Sequence, residues 1–536
     1  MYKVVMLVVC MVLLTSASGV EPFHIPASQV GCQQVQVEHL AVPVTCDYTG
    51  VTTVPPWLTL DAPWDPNVQV PDVYDLDDQL ISMAEDATGR IYVCYEAITT
   101  GGDYRFGIAT STDQGVSWDN RAWGITGYDM RYPEIAITDD GKIYVFGSLT
   151  GGGAYVDCPC FMRSNIGGYN DPDNLAGVSV FGSLPNFTYP EVVTWGNGNQ
   201  FVIAQYLDTA TPQIFCLFSH DSTSYYGLSF APSGGDPEKA SISVDVVGND
   251  TILIHGIEYY DATGSDWDVV CYLDTLNGSG GLYGWGTGNT NDDRYPSVFA
   301  SQGYAYIAYQ ADVGGEHDIM FSYSTDYGEN WSAIDDLTND VADETYPRLY
   351  GYNSIIGCAY NYAQSDVYFN YSISYGLTGT WLAAPERITD NSSANPNYHC
   401  VGLLYTTDYL YSAWEDTRSV GTDGIEIYTA RRTTPIGVAE SDDAFLIHNI
   451  AFAPNPFRDL IRIDYSVPYS QDINITVYDA SGKSVRTLVD KVHEPKRFSA
   501  IWDGKDNFGK RVSAGVYFCQ IEAGMNVISN KLVLVR

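Results

Sequence analysis

Four strings attach side chains able to do chemistry to a shared Tyr-Pro: Arg131-Tyr132-Pro133-Glu134, Tyr189-Pro190-Glu191, Arg294-Tyr295-Pro296 and Tyr346-Pro347-Arg348. An arginine fork can hold a carboxylate through two parallel hydrogen bonds. Two carboxyl groups in one cleft can act as acid and base on a glycosidic bond. The register argues against a shared arginine site. Arg131 and Arg294 precede the Tyr and Arg348 follows the Pro, three positions later, and an odd offset turns a strand side chain to the opposite face unless a bulge intervenes. Glu134 and Glu191 read as carboxylates lining a channel rather than as a matched acid and base. No G-x-S-x-G elbow, H-E-x-x-H or P-loop occurs, and the glycine-rich GGGAY near Gly151 lacks the Lys of a phosphate cradle. The acidic loops Ala311–Asp318 and Trp414–Gly424 could hold Ca2+, a hard cation that takes oxygen ligands, although neither has EF-hand spacing and a solvated loop is the plainer account. No catalytic residue and no other cofactor is implied.

The elements that carry these residues repeat. From about residue 75 the chain runs in units of roughly 50 residues, a blade-like period. Each starts near a Tyr-Pro or its equivalent, Asn395-Pro396 included, with weaker starts near Gln79 and Ser241. Proline lacks an N–H and suits the first residue of a strand. An alternating strand follows (IYVCYE, IYVFGS, FVIAQY, ILIHGI, AYIAYQ, IIGCAY or LYSAWE), then a polar loop and another strand such as HDIMFSYS. Sheets this small cannot cover their own faces, so they must stack on one another. The fold class is all-β: a β-propeller of seven blades, or six if the first or fourth unit is miscounted, followed by a small immunoglobulin-like β-sandwich.

An eight-residue string occurs twice, as Ser111-Thr-Asp113-Gln-Gly115-Val-Ser-Trp118 and Ser324-Thr-Asp326-Tyr-Gly328-Glu-Asn-Trp331. The Asp can accept backbone N–H groups of its own turn, the Gly supplies a positive φ, and the Trp can fold back over the hairpin as an apolar lid. A weaker copy ends in Trp381 and has Ser374 in place of the carboxylate. The pattern S-x-D-x-G-x-x-W resembles the Asp-box, or bacterial neuraminidase repeat, of sialidase-like β-propellers. In that family it is a structural clasp away from the catalytic cleft. The resemblance also implies three arginines around a carboxylate, a Tyr nucleophile assisted by a Glu, and an Asp acid. The family's F/Y-R-I-P motif is absent, since Arg131 lies before Tyr132. Trp414 and Arg418, in a W-x-D-x-R string, could stack as ring and cation in a structural role.

Formal net charge is -40. Residues 1–448 hold 14 Lys+Arg against 57 Asp+Glu, while 449–536 hold 12 against 9. Such a body repels nucleic acid and anionic membranes and favours cations or basic partners. Lys3, the apolar run Val4–Leu14 and small residues near Gly19 read as an export signal over residues 1–19, too short to span a bilayer. No later segment is long and apolar enough for a transmembrane helix. Residues 20–74 are Pro-rich and read as a leader lying against the body at 75–435. Most cysteines sit singly in apolar strands and suit small buried hydrophobes, with Cys32 and Cys46 the first disulfide pair to test.

After a linker at 436–448, residues 449–536 change character, with alternating strands between Ser-Gly, Asp-Gly and Ala-Gly turns that indicate a β-sandwich. Asn455-Pro456-Phe457, the turn Val477–Lys483, the segment opening Trp502-Asp503-Gly504, and the strand holding Gly515 and Tyr517 resemble the C-terminal sorting domain of type IX secretion cargo and the related FlgD-type immunoglobulin-like module. The resemblance implies a partner in the outer-membrane secretion machinery and a secreted or cell-surface location. The expected function is an exported, non-catalytic propeller binding an extracellular glycan, peptide or other protein, or cation through its loops. The alternative is a secreted glycoside hydrolase of sialidase-like type.

Overall fold

The computed structural model describes residues 64–535 apart from short segments, the longest being 165–174 and 434–447, and before residue 64 the backbone of four strands. Residues 1–19, Cys32, Pro396 and the Cys46 side chain lie outside the described residues, and with them the export signal and the Cys32–Cys46 pair. Among the described residues every regular element is a β-strand.

The chain forms two compact units, one essentially residues 1–435 and the other 436–536, the latter joined by 246–250. In the first, the described residues form seven antiparallel sheets of four or five strands that follow one another in chain order. Their first strands are Asp78–Glu85, Tyr128–Ile137, Phe187–Trp195, Gly235–Val247, Asp293–Ser301, Glu344–Tyr352 and Val401–Tyr405. All seven line one channel of about 400 Å³, which makes this unit a β-propeller. The sheets are numbered 1 to 7 in that order below. Apolar clusters bridge neighbouring sheets, as where Ile81, Val93, Tyr95 and Trp118 of sheet 1 meet Leu404, Tyr411 and Ile427 of sheet 7. The cysteines described here, Cys94, Cys158, Cys160, Cys216, Cys271, Cys358 and Cys519, are buried free thiols.

Hydrogen bonds close the ring between sheets 7 and 1. Val68–Gln69 pairs with Glu426–Thr433 as the outer strand of sheet 7. Glu415 of sheet 7 accepts the Leu80 amide of sheet 1 at 2.8 Å. Phe23–Ile25, Gln33–Val35, Val37–His39 and Thr45–Thr53 are the fifth strands of sheets 4, 3, 2 and 1. Three of these have only three residues, too few for an alternating pattern to show in sequence.

The second unit packs a three-stranded sheet against a four-stranded one. Ile461, Ile463, Tyr465 and Trp502 of the first meet Ile475, Val477, Tyr517, Cys519 and Leu532 of the second in a single core. It is a small β-sandwich.

Candidate functional site

The Tyr-Pro strings do not start strands. Each lies inside the innermost strand of its sheet, at a bulge where pairing skips from Arg131 to Glu134, Thr188 to Glu191, Arg294 to Ser297 and Thr345 to Arg348. The bulge residue has positive φ: Tyr132 56°, Tyr189 50°, Tyr295 53°, Tyr346 55°, and Leu80 60° in sheet 1. Innermost strands are edges, so the missing proline N–H costs no ladder bond. A carboxylate from the preceding sheet holds several of these strained amides. Tyr132 N donates to Glu96 at 3.1 Å and Tyr295 N to Glu258 at 2.6 Å, as Leu80 N does to Glu415. All three glutamates are fully buried. They end or follow the repeated apolar strands, and that recurrence was the available sequence signal for them.

The extra bulge residue restores parity. Arg131 and Glu134 oppose Ser148 and Phe146, two apart, so they share a face despite their odd spacing, and Thr345 and Arg348 do likewise. The sequence expectation of opposite faces holds only for an unbulged strand. The three arginines nevertheless have separate partners. Arg131 binds Glu96 through Nε at 3.2 Å and Nη2 at 3.0 Å. Arg294 binds Glu238 at 2.8 Å and Glu258 at 3.0 Å. Arg348 pairs closely with Glu191.

The residues after the bulges, Ser82, Glu134, Glu191, Ser297 and Arg348, face the channel in a ring with Ser241 of sheet 4. Several tie one sheet to the next. Ile135 N donates to Ser82 Oγ at 3.1 Å, Ile242 N to Glu191 Oε2 at 3.0 Å, Val298 N to Ser241 Oγ at 3.2 Å and Leu349 N to Ser297 Oγ at 2.8 Å. Burial pushes the Glu134 carboxyl up to about 8, with Arg348 opposing and Glu191 adding. Glu134 is therefore largely protonated at neutral pH.

Beside this ring lies an aromatic and cationic rim. A small depression between Tyr132 and Tyr189 shares Ile81 and Glu134 with the channel wall. The Tyr132 and Tyr189 rings are 4.7 Å apart, as are those of Tyr295 and Tyr346. Arg131 lies over Tyr104 at 4.1 Å, Arg294 over Trp267 at 4.0 Å and Lys239 over Tyr189 at 3.5 Å. Sequence reading missed Tyr104, Lys239 and Trp267, which no shared motif marks.

The repeated eight-residue strings lie away from the channel wall. Ser111 Oγ accepts Gly115 N at 2.8 Å and donates to Asp113 at 2.8 Å, while Asp113 accepts Ser117 N at 2.9 Å. Ser324, Asp326, Gly328 and Asn330 repeat this geometry, and Gly115 and Gly328 both have φ of +80°. In the weaker copy Ser372 still accepts Gly376 N, at 3.2 Å, and its hydroxyl pairs with Thr380. The tryptophans reach the preceding sheet rather than only capping their own hairpin. Trp118 donates to Thr429 at 3.1 Å, Trp331 packs on Trp285 and Trp381 on Phe321. The W-x-D-x-R string also differs from expectation: Arg418 stacks on Tyr428 at 4.0 Å, and both Arg418 and Trp414 bond to Asp416. Of the two acidic loops, the first has Asp312 accepting Gly315 N at 3.0 Å. In the second, Asp416 is thus already taken by Arg418.

In the tail, Asn455 bridges to the last strand, donating to Lys531 O at 2.8 Å and accepting Val533 N at 2.9 Å. Pro456 follows it, and Phe457 is buried 5.4 Å from Trp502, which in turn meets Tyr517 edge-on at 5.0 Å. Asp503 pairs with Lys505 around Gly504, whose φ is +68°, and Gly515 opens the strand that carries Tyr517. Residues 451–535 match the family model of the secretion system C-terminal sorting domain. The tail is a type IX sorting domain. A sorting domain engages the secretion machinery and indicates a secreted or cell-surface protein. No helix of the described residues is long and apolar enough to cross a membrane.

No curated protein matches the chain. Among solved structures it is similar to an ulvan lyase of a new polysaccharide lyase family, with 14% identity, 67% of this chain and 95% of that one covered, and a TM-score of 0.44. It is also similar to the phage phi92 endosialidase (9%, 84% and 79%, 0.39) and a Trypanosoma rangeli sialidase (9%, 86% and 85%, 0.37). These likenesses are too remote to bear on chemistry.

Proposed function

We propose that this chain is an exported β-propeller, carried out by its sorting domain, that binds an extracellular glycan at the tyrosine rim beside the channel and does not turn it over. The observation that carries this reading is that Arg131, Arg294 and Arg348 are each held by a carboxylate of the protein itself. A guanidinium engaged in this way is poorly placed to grip a substrate carboxylate. The paired tyrosine rings offer half-buried aromatic faces for the C–H face of a sugar ring. In the same reading, the Ser111–Trp118 and Ser324–Trp331 strings are Asp-boxes acting as clasps between sheets, and residues 1–19 are the export signal.

A second reading, secreted glycoside hydrolase, is favoured by one observation: Glu134, whose carboxyl burial pushes up to about 8, lines the channel with Glu191, which pairs with Arg348, and two carboxyl groups in such different environments resemble an acid and base. One experiment separates the two. The intact protein is tested on immobilised extracellular polysaccharides and on fluorogenic glycosides, sialosides included. Saturable binding weakened at least about tenfold in Tyr132→Ala or Tyr295→Ala, without turnover, supports the binding reading. Turnover abolished by Glu134→Gln replaces it with the hydrolase.

A further inference from the structure

A hairpin tip in sheet 4 gathers buried carboxylates, and among the described residues no basic side chain bonds to Asp266 or Asp268 there. The hairpin joining Asp250–Asp261 to Asp266–Thr275 in sheet 4 brings Asp261, Asp266 and Asp268 together, with one carboxylate oxygen of each within 4.8 Å of the other two. Asp266 is 8% exposed and Asp268 4%. Asp266 Oδ1 is buried and accepts no hydrogen bond. A Cβ built on Gly264 would come within 2.1 Å of that oxygen and 3.3 Å of Asp261 Oδ2, so both oxygens face the same small space. Asp268 accepts a hydrogen bond from the Thr287 hydroxyl at 3.1 Å. Asp292, which accepts Trp267 N at 3.0 Å, adds a further carboxylate nearby.

Sheet 6 solves the same problem differently. Asp366 opens its third strand as Asp266 opens that of sheet 4, and Arg387 binds it through Nη2 at 2.6 Å and Nε at 3.0 Å. Among the described residues no basic side chain bonds to Asp266 or Asp268. A buried carboxylate is tolerated when it is paired or coordinates a metal.

We propose that Asp261, Asp266 and Asp268 bind one Ca2+ ion at the tip of the sheet 4 hairpin. Carboxylate oxygens suit a hard cation, and Ca2+ takes an all-protein oxygen site more readily than Mg2+, which holds its waters. The ion would fix the residues on either side of Trp267, the ring beneath Arg294 at the rim. The site does not depend on what the rim binds.

The test uses full-length protein stripped with chelator and dialysed. Calorimetric titration with CaCl2 should show binding with Kd at or below about 1 mM, the range of extracellular Ca2+ modules. The melting midpoint should rise by a few degrees at saturation. Bound Tb3+ should luminesce on tryptophan excitation. The double variant Asp266→Asn/Asp268→Asn should bind Ca2+ at least about tenfold more weakly and lose the Tb3+ signal. Its metal-free melting midpoint should equal or exceed that of metal-free wild type, because like-charge repulsion is gone. The proposal fails if wild type shows no Ca2+-dependent shift, if the double variant keeps the shift, or if its metal-free form melts below metal-free wild type.

Discussion

The bulged inner strands and the sheet 4 hairpin tip handle buried charge in opposite ways. At the bulges each arginine has a carboxylate: Arg131 with Glu96, Arg294 with Glu258, Arg348 with Glu191. Those carboxylates also hold backbone amides of the next sheet. Charge there is spent on joining sheets, and little is left for a charged ligand. At the hairpin tip three carboxylates meet and Asp266 Oδ1 has no donor. The difference teaches that the acidic surplus of this chain does not by itself mark a site. What points to one is a meeting of three carboxylates around a buried oxygen, Asp266 Oδ1, that the protein leaves unanswered.

Three perturbations test the balanced side of that comparison. Arg348→Ala should do most damage, because it leaves Glu191 buried without its cation, and breaking such a pair costs about 3 kcal/mol. Chemical denaturation would measure it, and a loss near zero would mean that channel water replaces the guanidinium. Asp326→Ala should cost about 1 kcal/mol, since that carboxylate is satisfied by N–H donors of its own turn. Ser374→Asp, which supplies the carboxylate missing from the third copy, should recover stability of similar size. Melting curves of the two variants would show whether the carboxylate or the Ser372-type hydroxyl carries the turn.

The last test is a pH dependence. Glu134 keeps its proton in the folded protein up to about 8, above its ordinary value of 4.5. Between those values the unfolded chain has lost a proton that the folded chain retains, so stability falls as pH rises through this window and levels off above about 8. Glu134→Gln should flatten that slope, raising the melting midpoint at pH 8 while leaving it near wild type at pH 4.5. An unchanged slope would place the proton elsewhere in the ring.

Much of the scaffold was legible in the sequence. The recurrent Tyr-Pro marked the innermost strands, and the S-x-D-x-G-x-x-W strings marked turns whose hydrogen bonds close within six residues. The site was less so. Read as a strand start, Tyr-Pro hid the bulge that sets the facing of Arg131 and Arg348. Arg418 stacks on Tyr428 rather than on Trp414 because Asp416 sits between them in the hydrogen-bonding scheme. The run from Asp261 to Asp268 is visibly acidic, yet whether an arginine answers it depends on which strand lies alongside. In sheet 6 that strand carries Arg387; in sheet 4 it carries no such residue bonded to Asp266 or Asp268.

By itself the sequence determined the all-β class, the succession of like sheets and the separate sorting tail, because strand alternation, turn glycines and terminal motifs act over a few residues. Only the tertiary structure decided which charges are answered and which are not. Those pairings join Glu96 to Arg131, Glu191 to Arg348 and Glu415 to Leu80, across 35, 157 and 335 positions of chain, and such contacts exist only once the sheets have closed around the channel.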